Sequence, residues 1–266
     1  RPRAVHSIGL AFLSFDMRLF ALLATAVLLT FCAHSSSPLL TPDPTFRAEQ
    51  QRFPRVRGAY ATYESALHTL LQRHGIEPQR LELFIRAFKV GRRVEAWGRN
   101  QGEGEFVLLR TFRLAGTSGE LGPKRQSGDR QVPEGFYTIN RFNPASTYHL
   151  SLGLDYPNAA DLRHAAPNPG GDIFIHGSDA TVGCLPITDA GIRELYVLAV
   201  EARAAGQQGI PMHIFPFELT ADNLATRQAS PHTAFWQELA PGYQYFEDNH
   251  TLPQVQVDTD GAYAVE

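Results

Sequence analysis

The sequence predicts a β-rich α+β domain with helices flanking it at both ends. Three observations predict this. Short runs of β-formers separated by turn residues fill the middle of the chain, and helical periodicity appears on either side of them. Single strands also fail to alternate with helices until the C-terminal third, as a parallel doubly wound sheet would require.

The 266 residues are 43% hydrophobic and 19% charged, which is enough to bury a sizeable core. With 24 basic against 27 acidic residues there is no cationic excess to hold a phosphate backbone, so nucleic acid is excluded as a partner. Two cysteines, Cys32 and Cys184, cannot build a disulfide scaffold, and no CxxC pair offers a structural zinc site.

The N-terminal part reads as a targeting segment. Met17 and Arg18 precede an apolar run at 19–33, and His34 and three serines follow it. A charged start, a short apolar core and a small-residue exit make a secretory signal. The run is shorter than the roughly 20 residues of a comfortable membrane span. The expectation is export to the periplasm or cell envelope, and any membrane attachment would come only through an uncleaved segment 17–33. Residues 1–16 read as upstream read-through. Phe31 stands where a lipidated Cys32 would need a small residue, which disfavours a lipoprotein.

Residues 34–56, rich in Ser, Pro and Thr, read as a linker, followed by an N-terminal helical segment at 57–80. Within it Tyr60, Tyr63, Leu67, Leu70 and Leu71 share one helical face up to the stop signal Gly75. Strands are expected at 81–89, 94–97, 105–114, 135–141, 148–156 and 172–176. In 148–156 the leucines 150, 152 and 154 share one parity, which points His149 the other way. A helix at 188–205 opens with Thr188 and Asp189 as caps, a strand follows at 211–217, and a further helix begins at Ser230-Pro231. Residues 218–266 read as a C-terminal helical extension whose tail, after Asn249, is loosely ordered. The glycine-rich loop 116–124 is no phosphate loop, because Pro123 separates Gly122 from Lys124 and Arg125 follows.

Chemistry concentrates in residues 172–188. A β-run ends on His176-Gly177, a polar loop follows, and Gly183-Cys184 precedes the helix. A thiol reacts as thiolate and needs a base beside it, which His176 and the nearby helix N-terminus could supply. Gly177 and Gly183 leave room for a substrate and for backbone amides to face an oxyanion. On spacing alone two readings stay open: a nucleophile with its base, or an inert buried thiol beside a hydrogen-bonded strand-end histidine. A metal pair of His176 and Cys184 would still need partners, and only the scattered His149, Asp172 and Asp179 are at hand. If the pair is real, Cys184 should alkylate well below the pH of a free thiol, near 8.5.

The segment IHGSDATVGCLPIT resembles the catalytic motif of the L,D-transpeptidase (YkuD-type) family, and more closely its YafK-like branch. Residues 132–139, VPEGFYTI, are similar to the family's Pro-x-Gly-x-Phe/Tyr-x-Ile strand, and LGPKRQSGD and YHLSLGLDYPNAAD to segments of the branch. The resemblance spans 81–217, the expected catalytic domain, and implies a twisted mixed sheet or sandwich with the catalytic Cys at the sheet rim before a helix. It places the nucleophile on Cys184 and the general base on His176, with Gly177 and Gly183 as supporting backbone. Tyr148, His149, Ser178 and Lys124 become candidates to line the substrate cleft. For Lys124 and Arg125, which could meet stem-peptide carboxylates, an ordinary solvated loop charge is the favoured reading.

Where the usual motif reads SHGCIR or SHGCLR, this chain has Val182 two before Cys184 and Pro186 two after it. The resemblance implies an acyltransferase or peptidase acting on diaminopimelate-containing peptidoglycan stem peptides, with a murein-bound lipoprotein as a further partner and no metal or organic cofactor. The rival is a catalytically idle murein-binding module.

Overall fold

The computed structural model describes residues 41–266. The signal-like run, the read-through and Cys32 lie outside the described residues. Among the described residues no helix is long and apolar enough to cross a membrane. The helices are α1 (Pro44–Gln50), α2 (Pro54–Arg73), α3 (Ala159–His164), α4 (Thr188–Ala204), α5 (Ala221–Ala225) and α6 (Thr233–Asn249). The strands are β1 (Leu81–Phe88), β2 (Arg93–Asn100), β3 (Val107–Arg113), β4 (Gly135–Asn143), β5 (Ser151–Leu154), β6 (Phe174–His176), β7 (Leu185–Pro186), β8 (Ile210–Phe215), β9 (Val255–Val257) and β10 (Tyr263–Val265).

β1 to β8 form one mixed sheet in the order β3-β2-β1-β8-β4-β5-β6-β7. All neighbours run antiparallel except β1 with β8 and β6 with β7. The α+β architecture read from the sequence is the one observed. α4 lies across one face, where Leu195, Tyr196 and Leu198 meet Leu83, Ile85, Leu152, Ile175 and Met212 in a core that α2 extends with Val56, Leu67 and Leu71. On the opposite face of the central strands Phe84, Phe88, Trp97 and Phe215 are covered by Trp236, Tyr243 and Phe246 of α6. β1 is therefore buried from both sides, and the buried charged residue on its α6 face, Arg86, is held in an ion pair with Glu95.

The structure departs from the expectations at four places. α1 falls inside the stretch read as a linker; it is too short to show a period, and it is tied to α4 by a hydrogen bond from Tyr196 Oη to Gln50 Oε1 (2.7 Å). The strand expected at 148–156 contracts to β5, because Tyr148 and His149 turn away, with His149 at φ +72°. α6 opens at Thr233, since Ser230 Oγ is spent on His232 N, and it runs on through Pro241. The tail is not loose. β9 and β10 pair as a hairpin, and the buried Tyr263 takes a hydrogen bond from Asn158 Nδ2 (2.8 Å).

One buried ion pair ties the glycine-rich loop to the sheet. Lys89 Nζ lies 2.8 Å from Glu134 Oε1 and also donates to the carbonyls of Gly122 and Val132. Glu134, fully buried, also accepts from Gly122 N and Trp236 Nε1. Removing one partner of such a pair strands the other charge. Lys89→Met is expected to lower unfolding free energy by about 3–5 kcal/mol in urea denaturation. A loss under about 1 kcal/mol would show that Glu134 does not depend on this ammonium.

Candidate active site

The site is built by strand parity. His176 pairs with Ser151 on one side and Pro186 on the other, while Ile175 pairs with Leu152 and Leu185. Paired residues share a face. Ile175, Leu152 and Leu185 face α4 and enter the core, so His176, Phe174 and Ser151 face the other way, where α6 does not reach. Cys184 directly precedes edge strand β7, so continuing the same register places it beside Phe174 on this open face. Cys184, His176, Phe174, Ser151, Tyr148, Asp172 and Asn143 together line a cavity of about 410 Å³.

His176 is held in a defined tautomer. Its Nδ1 lies 2.6 Å from the Gly177 carbonyl oxygen, which can only accept, so Nδ1 carries the proton and Nε2 keeps its lone pair. The Tyr148 ring packs on the imidazole with centroids 4.6 Å apart. Burial pushes the imidazole pKa down, partly offset by the Gly177 carbonyl, which keeps the ring neutral near pH 7. Gly177 is required by contact: a Cβ there would lie 2.4 Å from Asp189 Oδ1 and 2.7 Å from the Tyr148 carbonyl.

Cys184 is partly exposed, and its Sγ donates to the Asp172 carbonyl (3.5 Å), not to His176. Burial raises the thiol pKa and Asp172 adds to this, while the Phe174 backbone and Lys124 pull it back. The resting pair is thus thiol and neutral imidazole. The direction of the thiol shift is opposite to the low-pH reactivity expected of the pair, with burial as the largest influence on the thiol. The neutral state also leaves the Nε2 lone pair of His176 unprotonated.

Gly183 adopts φ +91°, with its N–H donating to Ser118 Oγ (2.7 Å). Cys184 N–H donates to Thr181 Oγ1 (2.9 Å), whose hydroxyl returns a hydrogen bond to Cys184 O. The amides of Gly183 and Cys184 are therefore occupied by hydroxyls, and the Gly177 amide, the other one expected to support the site, donates to the Tyr148 carbonyl (3.0 Å); a substrate oxygen reaches the first two only by sharing or displacing the hydroxyls. The Thr-x-x-Cys spacing is a local turn signal that could have revealed Thr181. Ser118, on a loop remote in sequence, left no signal.

Of the remaining candidates, Tyr148 lines the cavity and the others do not. His149 turns beneath the Gly177 loop toward Asp189, and its Nε2 is buried without a partner. Ser178 N–H binds Asp189 Oδ1 (2.8 Å), which pins the turn to the start of α4. In the first turn of α4 Thr188 Oγ1 accepts from Gly191 N, whereas Asp189, the other residue expected to cap, accepts from Ser178; the N-cap position itself is Ile187. Lys124 is neither cleft-lining nor solvated: it is 5% exposed, and its ammonium is bound by Asp129 and the Gln126 carbonyl. Arg125 pairs with Asp161. A larger hollow of about 710 Å³, between α1, α2 and the end of α4, holds no nucleophile.

A family model described as the L,D-transpeptidase catalytic domain, YkuD, matches residues 90–205, which include both His176 and Cys184. Two curated Escherichia coli proteins, from strain K12 and from O157:H7, each bear the name "Putative L,D-transpeptidase YafK". Each is 35% identical over 185 residues, covering 69% of this chain and 73% of the relative. The chain belongs to the L,D-transpeptidase catalytic domain family. Among solved structures, the helical cell shape determining protein Pgp2 of Campylobacter jejuni aligns over 72% of this chain and 80% of its own, at 15% identity and TM-score 0.41. Mycobacterium tuberculosis L,D-transpeptidase 1 aligns over 51% and 62%, at 10% identity and TM-score 0.30. Both are distant likenesses. The departures from the usual L,D-transpeptidase motif now have a place in the fold: Val182 is exposed on the turn before the thiol, and Pro186 is buried in the edge strand, paired with His176.

The electrostatics predict a sign. Alkylation of Cys184 by iodoacetamide should titrate above the ordinary thiol value of about 8.5, because its folded-state pKa is raised. Midpoints well below that value would show a thiolate–imidazolium pair at rest. Gly177→Ala should slow any His176-dependent step by disturbing the contacts with Asp189 and Tyr148, as read by single-turnover kinetics beside an unchanged far-ultraviolet spectrum.

Proposed function

We propose that this protein is an exported cysteine acyltransferase or peptidase of the cell envelope that acts on diaminopimelate-containing peptidoglycan stem peptides. The observation that carries the reading is one face of β6 and its neighbours presenting Cys184 and the free Nε2 edge of His176 to one open cavity. His176 Nε2 takes the proton of Cys184 as the thiolate adds to a peptide carbonyl. The tetrahedral intermediate collapses to a thioester, and His176 returns the proton to the leaving amine. Water or a second amine then takes the acyl group. Water yields hydrolysis, including release of a murein-bound lipoprotein, and an amine yields a cross-link. Gly183 N–H and Cys184 N–H stabilise the oxyanion once Ser118 and Thr181 yield to it. Those occupied amides are the observation favouring the rival, an idle murein-binding module.

The test uses the protein and Cys184→Ala with murein sacculi, with and without attached lipoprotein, and mass spectrometry of the products. Released lipoprotein or new cross-links from wild type alone are expected. Identical products from both proteins would give the site to the binding module. His176→Ala is expected to lower turnover by about 10²–10⁴-fold. A change under threefold would remove His176 as the base.

A further inference from the structure

The thiol borders a second cavity. One of about 220 Å³ lies on the side of the glycine-rich loop, and its lining includes Cys184, Ser118, Lys89, Arg92 and Glu120. The charges in it are not equally available. Lys89 has spent its three donors on Glu134 and two carbonyls. Arg92, in the turn between β1 and β2, spends one N–H on the Ala115 carbonyl (3.1 Å). Among the described residues it makes no ion pair, and its Nε is buried without a partner. Its backbone is held at φ +50° and its carbonyl accepts from Leu114 N, so the side chain leaves a fixed turn. Glu120 is exposed on the same cavity. The pocket thus offers one guanidinium with no ion-pair partner among the described residues and one carboxylate, which matches a group carrying a carboxylate and an ammonium together better than it matches a dianion.

We propose that Arg92 is the specificity residue for the acyl donor, binding the carboxylate at the free amino-acid end of the diamino-acid side arm while Glu120 faces its ammonium; this rests on the acyl-transfer reading of Cys184. The geometry assigns the sides. The leaving amine must take its proton from His176 and so departs through the larger cavity, which leaves the smaller one for the part of the acyl group that stays on sulfur.

The test separates the pocket from the chemistry. Cys184 is alkylated with anionic iodoacetate and with neutral iodoacetamide in wild type, Arg92→Gln and Arg92→Lys. The iodoacetate-to-iodoacetamide rate ratio is expected to fall about fivefold in Arg92→Gln and to be largely restored in Arg92→Lys. A change in thiol pKa cancels in this ratio. Stem peptides with a free and with an amidated side-arm carboxylate are then compared: Arg92→Gln should raise KM for the free acid about tenfold and narrow its advantage over the amide. An unchanged reagent ratio, or equal KM shifts for both peptides, would overturn the assignment. A ratio that falls in Arg92→Gln, together with a wild type that turns over neither peptide, would uphold Arg92 as an anion site at the thiol and overturn the acyl-transfer reading instead.

Discussion

The register of β6 between β5 and β7 is the constraint on which the site depends. Ile175, Leu152 and Leu185 are all buried against α4, and the chain direction and pleat then leave His176 and Cys184 no face but the open one. A slip of one residue would bring the imidazole into the apolar core and Ile175 into the cavity. The hydrophobic effect that packs the sheet on α4 is thus also what aims the two reactive groups. The face they occupy stays open because α6 covers only the central strands, where Phe84, Phe88 and Phe215 lie.

Around this pair the electrostatics are arranged for a neutral ground state. Burial raises the thiol and lowers the imidazole, so each is held uncharged, and the Gly177 carbonyl selects the tautomer whose lone pair is free. Ser118 and Thr181 occupy the Gly183 and Cys184 amides, so these donors are not stranded beside the thiol. Glycine serves two ends here: at Gly177 the neighbours leave no space for a Cβ, and at Gly183 the chain takes a left-handed turn to present the thiol.

Much of this was legible in the sequence, and what was not has physical reasons. The helices at α2 and α4 and most of the central strands follow from periodicity, because each buries one face along a continuous segment. The His-Gly and Gly-Cys pairs mark the site because glycine, histidine and cysteine carry their chemistry in residue type. The short helix α1, edge strand β7 and the terminal hairpin depend on partners far along the chain, which no local period encodes. Tyr148 was placed near the site, but on a strand that ends before it, since the turn at His149 rests on a left-handed backbone at a residue that does not demand one. Arg92 and Ser118 line the cavity beside the thiol from loops remote in sequence, and Lys124 reads as solvated because its partner Asp129 sits across a turn.

The central claim is that His176 stands beside Cys184 as a neutral base with its Nε2 lone pair free. Nitrogen-15 shifts of the His176 imidazole, followed against pH in wild type and in Cys184→Ala, measure this directly. The account predicts a neutral ring protonated at Nδ1 near pH 7 in both proteins, titrating below the ordinary histidine value of about 6.5. A ring protonated on both nitrogens at pH 7 in wild type, reverting to neutral when the sulfur is removed, would contradict it.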